Sequence, residues 1–198
     1  MFASVPVLAQ KVLLEKTWPE SYNIAQTLPV ADGFLVMGAR EREEKKGDFI
    51  HTFQTPFVKW LDHDGKQLWS RSFPESKFMY LNELKANEEG IYIVGSRHDH
   101  PVAQRTAALF LGLNWAGKVV SQRSYHCPAH HSVEGKRIEI LPEGDLILLH
   151  DVYKNWGSNG EPWIVRISPA GKRKWEKRPK GTHYYVGTDA MRLTGNGG

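Results

Sequence analysis

Two short stretches of this 198-residue chain gather the side chains best able to do chemistry near neutral pH. One is Arg97-His98-Asp99-His100. The other is Tyr125-His126-Cys127-Pro128-Ala129-His130-His131. Imidazole and carboxylate are suitable ligands for zinc, copper or nickel, and His98 and His100 fall on one side of an extended segment. A transition-metal site built from His98, His100, His130 and His131 is therefore one expectation. A His-lined ligand site that also includes His126 is another, and a set of simply solvated loops is the third. No His-Glu-x-x-His helix or comparable ligand spacing is present.

Other arrangements are less developed. Cys127 lies beside histidines, but a thiolate nucleophile also needs an oriented base and an oxyanion hole, and the sequence shows neither. No catalytic residue is assigned. Carboxylates such as Glu15, Asp62, Asp64 and Asp151 are scattered, with no pair spaced for acid and base roles. Trp156, in the long loop Asn155 to Glu161, is of the type that anchors an interface, or it tucks under its own loop.

The elements that must position these residues are strands. Asp62-His63-Asp64-Gly65-Lys66-Gln67-Leu68-Trp69 reads as a strand end, a Gly turn and a second strand. It recurs around Gly117 and Gly171, at intervals of 52 (65 to 117) and 54 (117 to 171) residues. A second anchor, a turn glycine before a buried apolar run, recurs at Gly33, Gly90 and Gly144. A fixed period of this size signals a propeller or array. Each unit reads as strand, turn, buried strand, variable loop, strand, Gly turn, strand, with no helix of useful length. Such a unit is the four-stranded blade of a β-propeller, an all-β architecture.

The expected layout is an outer strand over 11–19 and blade 1 over 20–74. Blade 2 follows over 75–127, blade 3 over 128–181 and the start of blade 4 over 182–198. Trp69 and Trp175 occupy one repeated position and should dock blade on blade, with Ser121 in that place in the second unit. Arg40 to Asp48 reads as a charged, solvated loop, and His51 and His98 are expected in loops joining second and third strands. His150 is expected at a strand end. About three and a fraction antiparallel blades would leave open edges, so the reading expects a fragment of a longer propeller, with further blades as its partner.

Asp32-Gly33-Phe34-Leu35-Val36-Met37-Gly38, taken with Gly65-Lys66-Gln67-Leu68-Trp69, resembles the pyrroloquinoline-quinone-type propeller repeat and its cofactor-free relatives. The likeness covers roughly residues 11 to 198. It implies the fold rather than an activity, because such repeats occur in scaffolds, assembly factors and enzymes alike. The quinone enzymes with this repeat also carry calcium-binding carboxylates that have no counterpart here.

Bulk properties narrow the classes. With 40% hydrophobic and 24% charged residues the chain should fold around a real core. A net charge of +4, spread along the chain and without a groove motif, gives no support to nucleic-acid binding. One cysteine excludes an internal disulfide. No apolar run is long enough to span a bilayer as a helix. Val7-Leu8-Ala9 has the small-residue spacing of a signal-peptidase site, so residues 1–9 read either as a signal-peptide remnant of a secreted or periplasmic protein or as an ordinary N-terminal tail. The resulting expectation is a non-enzymatic binding or scaffold propeller, presenting one face of loops to a protein or glycan partner, with no cofactor. The alternative is part of a propeller enzyme, a quinone-dependent dehydrogenase or a metal-assisted hydrolase.

Overall fold

The structure is a computed structural model that describes residues 22–74, 79–98, 105–128, 130–155 and 160–179. The expected leader over 1–9, the outer strand over 11–19 and the fourth unit over 182–198 lie outside these residues, as do His100, Trp156 and His183. The described residues are all-β, with no helix. They form three four-stranded antiparallel sheets, each following chain order. The first contains β1 (Tyr22–Val30), β2 (Gly33–Lys46), β3 (Phe49–Leu61) and β4 (Gln67–Ser72). The second contains β5 (Met79–Asn87), β6 (Gly90–His98), β7 (Thr106–Leu113) and β8 (Val119–Tyr125). The third contains β9 (Ser132–Ile140), β10 (Leu146–Tyr153), β11 (Glu161–Ile167) and β12 (Arg173–Lys177).

Alternation along the strands explains the unbroken apolar runs. In β6, Tyr92 and Val94 pack toward the third sheet, whereas Ile91 and Ile93 pack toward the first. In β7, Ala108 and Phe110 take the first direction, and Leu109, Leu111 and Leu113 the other. The inner strands of the second sheet, β6 and β7, are thus buried on both faces, and period-two patterning gives way to continuous hydrophobicity.

Irregularities repeat as faithfully as strands. The first strand of each sheet carries an unpaired bulge residue: Ala25, Asn82 and Lys136. The fourth strands carry another: Leu68, Val120 and Lys174. Bulges raise local twist, so the same correction at the same place bends all three sheets alike. The turn between third and fourth strands is also constant in geometry. Gly65, Gly117 and Gly171 adopt φ of 76°, 74° and 78°, a left-handed conformation that excludes ordinary side chains. The amide of the following lysine donates to a side-chain oxygen four residues earlier: Asp62 Oδ1, Asn114 Oδ1 or Ser168 Oγ.

Three expectations are corrected here. Arg40 to Asp48 is not a loop. β2 and β3 remain paired from Phe34–Leu61 out to Lys46–Phe49, closed by Gly47 and Asp48. His51 accordingly sits within β3, opposite Glu44. The charged run suits a strand because both faces of this extension meet water and its side chains find neighbours. Gln54 donates to Glu41 at 3.0 Å, and the Arg42 guanidinium lies 4.6 Å from the centre of the Phe53 ring. His150 is not at a strand end but inside β10, fully buried between paired strands. β10 runs on to Tyr153 because Asp151 and Val152 continue the pairing with β9 and β11.

Candidate functional site

The joints between sheets decide where a ligand could sit. At the first joint, the Gln26 amide reaches across to β5, donating to the Leu84 carbonyl (2.9 Å) and accepting from its amide (2.7 Å). At the second, Glu83 accepts from the Ile138 amide at 2.6 Å and Asn82 donates to the Gly135 carbonyl at 2.6 Å. Trp69 docks as expected. Its indole lies on Gly117, where an added Cβ would meet ring carbons at 2.9 Å, and its Nε1 donates to the Trp115 carbonyl at 2.9 Å. Ser121 fills the same position at the second joint and donates to the Ala170 carbonyl at 2.8 Å. Tyr125 reinforces that joint by donating to the Gly171 carbonyl at 2.7 Å, and burial pushes its phenol up to about 12. Trp175, the third residue of this series, is 38% exposed.

Beside the first joint, at the turn end of the sheets, lies an open cleft of about 470 Å³. Its walls come from the end of β1 (Leu28, Pro29, Val30) and from two tryptophans, Trp60 on β3 and Trp115 in the turn after β7. Their rings stand 5.2 Å apart at 55°. Trp60 also meets Trp69 edge-on, at 6.3 Å and 75°. Trp115 is held firmly, since its Nε1 lies 3.1 Å from the Asn87 carbonyl and 3.2 Å from that of Glu88. Trp60 Nε1, by contrast, is buried with no hydrogen-bond partner. Asp32 and Glu88, both exposed, also contribute to the lining. The size and the mix of apolar wall with a few polar groups match a small-ligand or side-chain site.

This cleft is not something the repeat requires. The strand position of Trp60, opposite Trp69, is taken by Gly112 opposite Ser121 and by Arg166 opposite Trp175. The turn position of Trp115 is taken by His63 and Pro169. At the second joint, therefore, Gly112 and Pro169 stand where the first has two indoles. Trp60 and Trp115 were not among the residues singled out from sequence. Aligning the units column by column is the signal that would have found them.

The opposite, loop end carries His98, His126, His130 and His131. His98 ends β6, paired with Thr106, rather than lying in a loop as expected. His126, exposed, follows β8, and His130 and His131 precede β9. A hydrogen bond between the Thr106 and Ser132 hydroxyls draws these segments together. His130 Nδ1 lies 3.0 Å from the Pro128 carbonyl and 3.3 Å from Cys127 Sγ, while its Nε2 lies 3.8 Å from Glu161 Oε2. His131 Nε2 is buried without a partner.

This thiol–imidazole–carboxylate order looks like a nucleophilic arrangement, but its chemistry runs the other way. A carbonyl oxygen only accepts, so Nδ1 carries a proton toward Pro128 and cannot also take one from the thiol. Burial pushes the Cys127 thiol up, away from thiolate. Glu161 is held below the ordinary carboxylate range, first by its hydrogen bond to Lys154. Among the described residues, no group of three or more His, Cys, Asp or Glu is placed to hold a metal ion. Further from this edge, His150 sits in the core between Tyr125 and Trp163, with both ring nitrogens unpartnered and its pKa driven down to about 3 by burial.

A scan of known family models gives no match to this chain, and a search of curated proteins gives none either. Among the described residues no helix is long and apolar enough to cross a membrane.

Proposed function

We propose that this chain is a non-enzymatic binding or scaffold protein whose three sheets are blades of a β-propeller, and that it holds a protein or glycan partner. The single observation that carries the binding reading is the joint-specific cleft lined by the packed pair Trp60 and Trp115 together with the end of β1. Trp115, set by hydrogen bonds to the neighbouring turn, and Trp60, set by packing on Trp69, give contact area at low entropic cost. The blade reading, and with it the resemblance to the pyrroloquinoline-quinone-type repeat, is supported by the recurrence of bulges, glycine turns and inter-sheet clamps at one period. An exported location rests on the Val7-Leu8-Ala9 motif alone. In this reading the primary contact surface moves from the histidine-bearing loops to the turn end.

The test is a glycan and peptide array probed with the wild-type protein, a Trp115→Leu variant and a variant with His98, His100, His130 and His131 all changed to alanine. Circular dichroism checks that each variant is folded. Ligands retained by the wild type and by the histidine variant, but weakened about tenfold or more in Trp115→Leu, support the cleft. Ligands indifferent to Trp115 but lost in the histidine variant return the site to the loop end.

A further inference from the structure

Resting on the binding reading above, the geometry points to a guanidinium as the group this cleft accepts: an arginine side chain carried on a segment of a protein partner. Two tryptophans and two acidic residues among its lining define the chemistry. The titratable groups lining the cleft are Asp32 and Glu88, both acidic, in a chain whose net charge is +4. The local sign is thus opposite to that of the whole molecule, which is charge complementarity to a cation rather than a general property of the surface.

An indole face attracts a cation through its quadrupole, tryptophan more strongly than tyrosine or phenylalanine. Guanidinium suits this site better than ammonium. It is planar, weakly hydrated and able to stack on a ring while its edge donates to carboxylates. A saccharide would also stack on tryptophan and donate its hydroxyls to the carboxylates, but it would leave both rim charges unneutralised. The second joint supplies an internal comparison. Its corresponding residues, Gly112, Pro169, Glu89 and the Pro142-Glu143 pair, offer no indole, and Glu143 is already paired with Arg166, so the same cation has no ring to stack on there. A cleft of about 470 Å³ accommodates a whole arginine side chain with part of its neighbours.

The probe is the peptide acetyl-Gly-Arg-Gly-amide, compared with acetyl-Gly-citrulline-Gly-amide, which keeps the planar shape but not the charge, and with N-acetylchitotriose. Indole N–H resonances are followed by heteronuclear NMR and assigned with Trp60→Phe and Trp115→Phe. The arginine peptide should shift the Trp60 or Trp115 signal and bind about tenfold more tightly than the citrulline peptide. Asp32→Asn combined with Glu88→Gln should weaken it about fivefold or more, as should 0.5 M salt (on the order of a 4 Å Debye length). Equal binding of arginine and citrulline peptides overturns the proposal, as does arginine binding indifferent to the two carboxylates or the absence of any indole shift. If the saccharide shifts these indoles and the arginine peptide does not, the guanidinium assignment falls while the binding cleft stands.

Discussion

Mild acid should destabilise this protein through one residue, His150. Its ring is fully buried, neither nitrogen has a partner, and it lies 5.3 Å from the Trp163 ring and 6.0 Å from that of Tyr125. Burial lowers its pKa from 6.5 to about 3. The native state therefore keeps the ring neutral while the unfolded chain binds a proton as pH falls below 6.5. Stability is unaffected by this group above that value, and it declines with falling pH until the folded ring itself protonates near 3. One pKa unit corresponds to about 1.4 kcal/mol, so the loss between neutrality and pH 5 is about 2 kcal/mol. That is a large share of a typical margin of about 5–15 kcal/mol. Asp145 and Glu161, whose pKa values are lowered, lose stabilising charge only at and below the ordinary carboxylate range. The interval from 6.5 to 5 therefore reports on histidine. Urea unfolding of wild type and His150→Phe at several pH values gives the comparison. The wild type should lose about 2 kcal/mol more than the variant over that interval. Parallel acid slopes for the two proteins would refute the reasoning, whatever their absolute stabilities.

Three further outcomes are expected. Trp69→Ala, which removes the indole from Gly117 and a hydrogen bond to Trp115, should cost about 3 kcal/mol by thermal or chemical denaturation. Gly117→Ala should cost about 1–3 kcal/mol, because a Cβ meets the indole at 2.9 Å and φ is +74°. Combining it with Trp69→Leu should relieve the clash but not the backbone term. Cys127, 4% exposed and with its pKa raised by burial, should react with iodoacetamide at pH 8 about a hundredfold more slowly in the native protein than in 6 M urea.

Much of the strand order was legible because it is repeated. Thr106 to Leu113 could be read residue for residue as β7, and the glycine turns marked every third-to-fourth strand connection. What does not recur was harder to read. The Arg40 to Lys46 run has loop composition, yet it pairs with β3 because its cross-strand neighbours, not burial, hold it. His150 looked like a strand end because an isolated histidine after Asp145-Leu146-Ile147-Leu148-Leu149 breaks the apolar run, whereas the structure buries it neutral. The cleft was missed for a related reason. Its tryptophans come from separate units, 55 residues apart in sequence (60 to 115), and only the stacking of two sheets brings the rings to 5.2 Å. The Asp62, Asn114 and Ser168 turns show the reverse case, in which three residue types hide one hydrogen bond.

The two joints also differ from each other, and this bears on how the chain avoids misassembly. Similar units laid end to end can stack out of order during folding, a characteristic hazard of repeats. Here the first joint interlocks two indoles, while the second brings Gly112 against Pro169. A third sheet stacked directly on the first would set Trp60 against Pro169 and forgo the indole contact. A second sheet displaced from the first would leave Trp115 without Trp60 and Trp69. The volumes at the joints thus encode the order of the sheets, so that units of like strand order are told apart by which neighbour fits.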